Sequence, residues 1–174
     1  MPLGPDRIST MTVKLYAIAA LGPHREIGLN GHLPWSLADE YEHYKKTVKG
    51  HYVLVGRKNF EANQGDVNGA YPIVMSRTSF HHPNAFSVSS LAELEEFSET
   101  KGIKEIFVIG GSEIYDLTLP YLSEFYCSIV DYSGPADTYF PEYMFYEWEM
   151  IKEDIHEKWT FYHMKKRPLP LPRN

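Results

Sequence analysis

Three short stretches of the sequence carry residues suited to holding a phosphorylated ligand. Val53-Leu54-Val55-Gly56-Arg57-Lys58 and Phe107-Val108-Ile109-Gly110-Gly111-Ser112 each read as an apolar strand, a glycine and a helix start. Such a junction presents the free N–H groups of a helix N-terminus at the carboxyl edge of a sheet, where anions bind. Glycine lets a ligand approach the backbone, and Arg57, Lys58 and Arg77, the last in Ser76-Arg77 after a third apolar run, add positive charge near the same edge. Neither GxGxxG nor GxxxxGK[ST] is present, so neither standard nucleotide fingerprint applies. A glycine that only turns the chain explains either junction alone. The repeated design, with Ser76-Arg77 beside it, favours a dinucleotide site.

A candidate acid lies in the helix expected from Ser36 to about Lys49. At about 100° per residue, with Leu37 set at zero, Tyr41, Tyr44 and Val48 fall within about 40° of it and form the buried stripe. Glu40 lies beside that stripe, at about 300°, whereas Asp39, at about 200°, faces solvent. An inward carboxyl among aromatic side chains needs a hydrogen-bond partner and has a raised pKa, as general acids and bases do. The alternative is a boundary glutamate that bends out to water.

These groups need a scaffold. Leu15–Leu21 is an apolar run suited to a strand buried on both faces, followed by a Gly/Pro/Asn loop (Gly22–Pro34) and the helix capped by Ser36. Strands at Tyr52–Val55, Pro72–Met75, Ala85–Val88 and Glu105–Ile109 alternate with helices from Arg57, over Leu91–Lys101 with Ser90 as cap, and from Ser112. Phe125–Asp131, Trp148–Ile155 and Trp159–Lys166 read as strands with no helix between them. The expected class is α/β: a mixed, mostly parallel central sheet of about eight strands flanked by about four helices and ending in an antiparallel C-terminal hairpin. Residues 1–12 read as a leader, 13–167 as one domain and 168–174 as an extended Pro-rich tail.

Composition narrows the function. Seventeen Lys and Arg against 23 Asp and Glu leave a net charge of −6, which argues against a nucleic-acid partner. The apolar runs fall short of the roughly 18 residues a membrane span needs. One cysteine, Cys127, allows no intramolecular disulfide, and HExxH is absent, so no metal site is expected. The expected protein is cytoplasmic and monomeric.

The same residues resemble the dihydrofolate reductase family, in order and nearly without gaps, over Val13–Lys166. The resemblance rests on Ala19-Ala20, Ile27-Gly28, Leu33-Pro34-Trp35 with Glu40 five residues on, Val55-Gly56-Arg57, Ser76-Arg77, Ile109-Gly110-Gly111 with Glu113-Ile114-Tyr115, and Asp137-Thr138-Tyr139-Phe140-Pro141. It implies NADPH-dependent reduction of 7,8-dihydrofolate to tetrahydrofolate, a step of one-carbon metabolism, with hydride added at C6 and a proton at N5. By that resemblance Glu40, Trp35 and Leu33 serve catalysis, Glu40 hydrogen-bonding the pterin and Gly28–Leu33 closing over the nicotinamide. Ile18, Ala20, Tyr41, Tyr44, Lys45, Asn63, Ile109, Tyr115 and Ser128 would meet the substrate. Ala20, Ile27, Gly28, Gly56, Arg57, Lys58, Asn59, Ser76, Arg77 and Ile109–Tyr115, namely Ile109, Gly110, Gly111, Ser112, Glu113, Ile114 and Tyr115, would hold the cofactor.

The sequence also departs from the family pattern. Asn59 stands for a Thr, Ser128 for a Thr that bonds the pocket acid, and Asn63 and Tyr44 make the pocket mouth more polar. Ala70 occupies the position of an Arg that pairs with the glutamate tail of folate, leaving Lys45 as the nearest cation for it. A tail-less dihydropterin or a ribosylamino-pyrimidine is therefore the alternative substrate. A nucleotide-binding protein without turnover is the non-enzymatic reading.

Overall fold

A computed structural model describes residues 11–168. Eight strands form one sheet: β1 (Lys14–Leu21), β3 (Tyr52–Gly56), β4 (Tyr71–Met75), β5 (Phe86–Val88), β6 (Glu105–Gly110), β7 (Leu122–Val130), β9 (Trp148–Ile155) and β10 (Trp159–Lys166). Their spatial order is β5-β4-β3-β6-β1-β7-β10-β9. Only the pairings of β10 with β7 and β9 are antiparallel, as the helix-free last third of the sequence implied. The helices are α1 (Ala38–Val48), α2 (Arg57–Ala62), α3 (Leu91–Lys101) and α4 (Ser112–Thr118).

The apolar run of β1 is buried on both faces. Leu15, Ala17, Ala19 and Leu21 point into one core cluster, with Leu54, Val108 and Phe125, while Tyr16 and Ile18 point into the other, with Val53, Val55 and Phe60. From β1 the chain crosses through α1 to β3 and moves outward to β5, then returns through α3 and lays β6 between β3 and β1. The connections leaving β1, β3 and β6 thus part at the carboxyl edge, the kind of topological switch point at which α/β sheets bind ligands.

Two local expectations differ from the structure. Ser36 does not cap α1; the helix begins at Ala38 after an extended Leu37, with no side-chain cap. Trp35 and Leu37 pack on the small cluster of Val130, Trp159 and Phe161, which keeps the chain extended through Leu37. Ser90 does cap α3, its Oγ accepting from Glu93 N at 3.1 Å. The sequence reading also lacked a ribbon of two short strands, β2 (Glu26–Gly28) and β8 (Thr138–Tyr139). Such short strands show no period, and their partner lies near the other end of the chain.

Met11 packs against the core and Thr12 N donates to Glu95 Oε2 at 2.7 Å, so these two residues, assigned to the leader, lie against the domain. The rest of the leader and the tail after Pro168 lie outside the described residues.

Candidate active site

At the carboxyl edge of β1, β3, β4 and β6 a cleft of about 1010 Å³ runs between α1 and the α2–α4 side of the sheet. At one end, β3 passes into α2 through Gly56 and β6 into α4 through Gly110-Gly111. These glycines are required by close approach. A Cβ on Gly56 would lie 3.0 Å from Ile114 Cγ1, and one on Gly110, at φ +107°, would lie 2.9 Å from the Tyr115 ring. The two glycines therefore let the Ile114 and Tyr115 side chains of α4 pack directly on the sheet, and Gly56 and Gly111 line the cleft beside them.

Arg57, Lys58, Ser76, Arg77, Thr78 and Ser89 line this end and supply its polar groups. Arg57 is anchored: Nε donates to Glu61 Oε1 at 2.6 Å, Nη1 donates to Thr78 Oγ1 at 3.0 Å, and the guanidinium lies 5.0 Å from the centre of the Phe80 ring. Ser76 Oγ donates to the Thr78 carbonyl at 2.9 Å, which shapes the turn carrying Arg77. Cationic groups and a glycine wall in one place fit a phosphorylated dinucleotide.

The other end centres on Glu40, which is only 6% exposed. Burial raises its pKa and the nearby Asp39 charge adds to that, against a hydrogen bond from the Ser128 hydroxyl. The bend toward water does not occur. Tyr115 lies behind the site, its hydroxyl donating to the Ile18 carbonyl at 2.7 Å and tying α4 to β1. Trp35 lines the cleft nearby, and its buried indole N–H has no acceptor among the described residues. Leu33, 46% exposed, stands on the loop after Gly28, which is pinned where Asn30 N donates to Asp137 Oδ2 at 2.9 Å.

The cleft collects most of the residues expected at the site: Ile18, Ala20, Ile27, Gly28, Tyr41, Tyr44, Asn59, Asn63, Ile109, Gly111, Ser112, Glu113, Ile114 and Tyr115 line it with those already described. Gly110 and Ser128 are not in its lining, although Gly110 forms the turn and Ser128 bonds Glu40. Lys45 is not there either. Its Nζ lies 2.6 Å from Glu42 Oε1, an i,i+3 pair that the wheel left out because both residues fall off the buried stripe. Tyr41, placed in that stripe, is instead 45% exposed at the cleft rim, where its hydroxyl donates to Asn68 Oδ1 at 3.0 Å. Asp39 is exposed as expected, yet its Oδ2 accepts from the Trp159 indole at 3.0 Å. Ala70 is buried in the second core cluster, with Val48 and Val67.

Sequence reasoning missed Thr78, Asp66 and Asn68. The last two belong to a turn in which Asn68 N donates to Asp66 Oδ1 at 2.9 Å and Asn68 and Gly69 take positive φ. The Asp-Val-Asn-Gly stretch held that signal.

Comparison with known proteins decides the family. The family model described as dihydrofolate reductase matches residues 14–167. The chain belongs to the dihydrofolate reductase family. The dihydrofolate reductase of Bacillus subtilis (strain 168) is 30% identical over 138 residues, covering 79% of this chain and 81% of that protein. The dihydrofolate reductase HdrB of Haloferax volcanii is 24% identical over 180 residues, covering 98% of this chain and 93% of its own. A solved dihydrofolate reductase from Enterococcus faecalis, complexed with NADP(H) and RAB-propyl, shares the fold with a TM-score of 0.79 at 20% identity, over 91% of this chain and 99% of that one.

Proposed function

We propose that this protein catalyses NADPH-dependent reduction of 7,8-dihydrofolate to 5,6,7,8-tetrahydrofolate. The carrying observation is that one cleft joins a buried carboxyl, Glu40, to a glycine-walled cationic end, in a chain of the dihydrofolate reductase family. NADPH, when bound, supplies the hydride that adds at C6 of the dihydropterin. Gly56, Gly110 and Gly111 would admit its pyrophosphate to the backbone, and Arg57, Ser76 and Arg77 its 2′-phosphate.

Glu40 accepts hydrogen bonds from the pterin amino group and ring N3, which fixes the ring face and draws positive charge onto it. This raises the basicity of N5, where a proton must arrive, and a water molecule delivers it. Ser128 holds the carboxyl in place. Leu33 and Trp35 limit how much water reaches the ring, so the carboxylate acts in a medium of low dielectric. Tyr115 keeps the Ile18 carbonyl, and with it the cleft floor, at a fixed height.

The catalytic domain is taken as residues 13–167. The reading includes a monomer in the cytoplasm, acting on small molecules and, with a net charge of −6, without a nucleic-acid partner. No helix among the described residues is long and apolar enough to cross a membrane, and none of their His, Cys, Asp or Glu side chains group as a metal site. Purified protein mixed with NADPH and 7,8-dihydrofolate should lose NADPH absorbance at a rate proportional to enzyme. No loss above the background without enzyme would end the proposal.

A further inference from the structure

Glu40 is held at two points, and both lead to the same pair of strands. Its carboxyl takes the Ser128 hydroxyl from β7. Its backbone N–H donates to Asp39 Oδ1 at 2.9 Å, and Asp39 Oδ2 takes the Trp159 indole N–H at 3.0 Å. Trp159 opens β10 opposite Val130, and Phe161 pairs with Ser128, so the indole and the hydroxyl stand two residues apart along one ladder. The first turn of α1 has no capping side chain, and its place depends on what ties it to the sheet.

The indole is itself fixed. Trp159 is only 4% exposed and packs with Val130 and Phe161. His156 stacks on its ring at 3.9 Å, within 3° of parallel, and the His156 N–H donates to the Trp159 carbonyl at 2.8 Å. From the helix side His43, one turn after Asp39, lies 4.3 Å from the Phe161 ring and 5.7 Å from the Trp159 ring. The charged and titratable groups around the bond are thus His43 and His156, with Lys152 and Asp154 from β9. Burial first, and His156 next, lower the pKa of His43, so it packs as a neutral ring, while the indole bond lowers that of Asp39 and keeps it ionised.

We propose, resting on the reading above, that Trp159 is a positioning residue for the reduction: through Asp39, its indole N–H sets the first turn of α1 and so aims the Glu40 carboxyl at Ser128 and at the pterin. Neither Trp159 nor Asp39 lines the cleft, so neither touches substrate or cofactor. A carboxylate that must meet two ring donors at once tolerates little displacement, and a hydroxyl alone lets it swing about one bond. The second tie removes that freedom.

Three variants test this. Trp159→Phe keeps an aromatic ring but no donor, Asp39→Ala removes the acceptor and leaves β10 intact, and Asp39→Asn keeps one oxygen for the indole. Trp159→Phe and Asp39→Ala should each lower kcat roughly fivefold, short of the roughly 10²-fold that a full 1 Å misplacement can cost because Ser128 still holds the carboxyl. KM for NADPH should stay level in both, since the cationic end lies on the other side of the cleft. The double variant should be no slower than either single one, because both cut the same bond, and Asp39→Asn should recover most of the rate lost in Asp39→Ala. A readout without turnover is the titration of Glu40 by carboxyl ¹³C NMR. Its pKa should lie higher in Asp39→Ala than in Asp39→Asn, which have equal charge, because only the former frees the carboxyl from the Ser128 hydroxyl that lowers it. Parent-like kcat in Asp39→Ala, or equal Glu40 titration in the two Asp39 variants, overturns the proposal. Asp39 is exposed, so the decision stands even if Trp159→Phe fails to fold. If the parent does not reduce dihydrofolate, the assigned reaction fails, and the titration still decides whether this bond aims Glu40.

Discussion

Replacing Glu40 by glutamine should move activity and stability in opposite directions. Glutamine keeps the shape and the acceptor for Ser128 but removes the charge. Without it the pterin ring is less polarised and N5 less basic, so kcat should fall at least about 10²-fold, the usual worth of a positioned acid–base group. Part of the loss should return toward low pH, where the substrate is itself protonated. Stability follows from burial. The folded-state pKa of Glu40 is raised above the ordinary value of 4.5 chiefly by desolvation, so the folded protein binds more protons than the unfolded chain between 4.5 and the raised value. Relative to a neutral side chain, the parent therefore loses stability as pH climbs through that window, by about 1.4 kcal/mol for each pH unit crossed. Each kcal/mol of that loss corresponds to about 2–4 °C for a protein of this size, so Glu40→Gln should melt higher than the parent at neutral pH. That advantage should disappear below pH 4.5. Thermal melts across pH, with the NADPH absorbance assay on the same samples, measure both effects. A variant that melts lower than the parent at neutral pH, or that turns over at the parent's rate, would refute the argument from burial.

Arg57→Ala should raise KM for NADPH about tenfold, toward the low end for a charge-assisted contact because Glu61 competes for the guanidinium, while leaving KM for NADH nearly unchanged; equal effects on both cofactors would show that Arg57 does not meet the 2′-phosphate. Tyr115→Phe leaves the Ile18 carbonyl without its buried donor, so unfolding free energy by denaturant titration should drop by about 1–3 kcal/mol, and an unchanged midpoint would contradict the contact. Asp39→Asn should leave kcat close to the parent's, since the side chain meets Trp159 rather than the cleft; a loss comparable with that of Glu40→Gln would mean that the wrong carboxyl has been chosen.

Much of this arrangement was legible from residue order because its signals are local. The run Leu15–Leu21 is continuous because β1 is buried on both faces, and the strand–glycine–helix junctions stand out because a Cβ at Gly56 or Gly110 meets a neighbour. Spacing put Glu40 beside the buried stripe but left its bend toward water open, and it misplaced Tyr41, which is exposed at the rim, because spacing gives a side chain's direction and not what covers it. What escaped depends on distant partners. Ser36 is a good cap by type, but packing of Trp35 and Leu37 on the C-terminal strands decides where α1 begins. The β2–β8 ribbon and the Asp39–Trp159 bond join opposite ends of the chain, and the Tyr41–Asn68 bridge joins α1 to a turn beyond β3 and α2, so no short window of sequence contains both halves.

The position of β6 has a consequence for how the protein is made. It is synthesised after β3, β4 and β5 yet lies between β3 and β1, bonded to both. A nascent chain ending before Glu105 has no strand to bridge β1 and β3, and the apolar edges that β6 covers stay open to water or to other chains. Gly111 and Tyr115 arrive later still, so no shorter chain has both walls of the cleft. A ligand that binds only the finished cleft can favour folding only by trapping nearly complete molecules, and during synthesis it gives no protection to the half-made sheet.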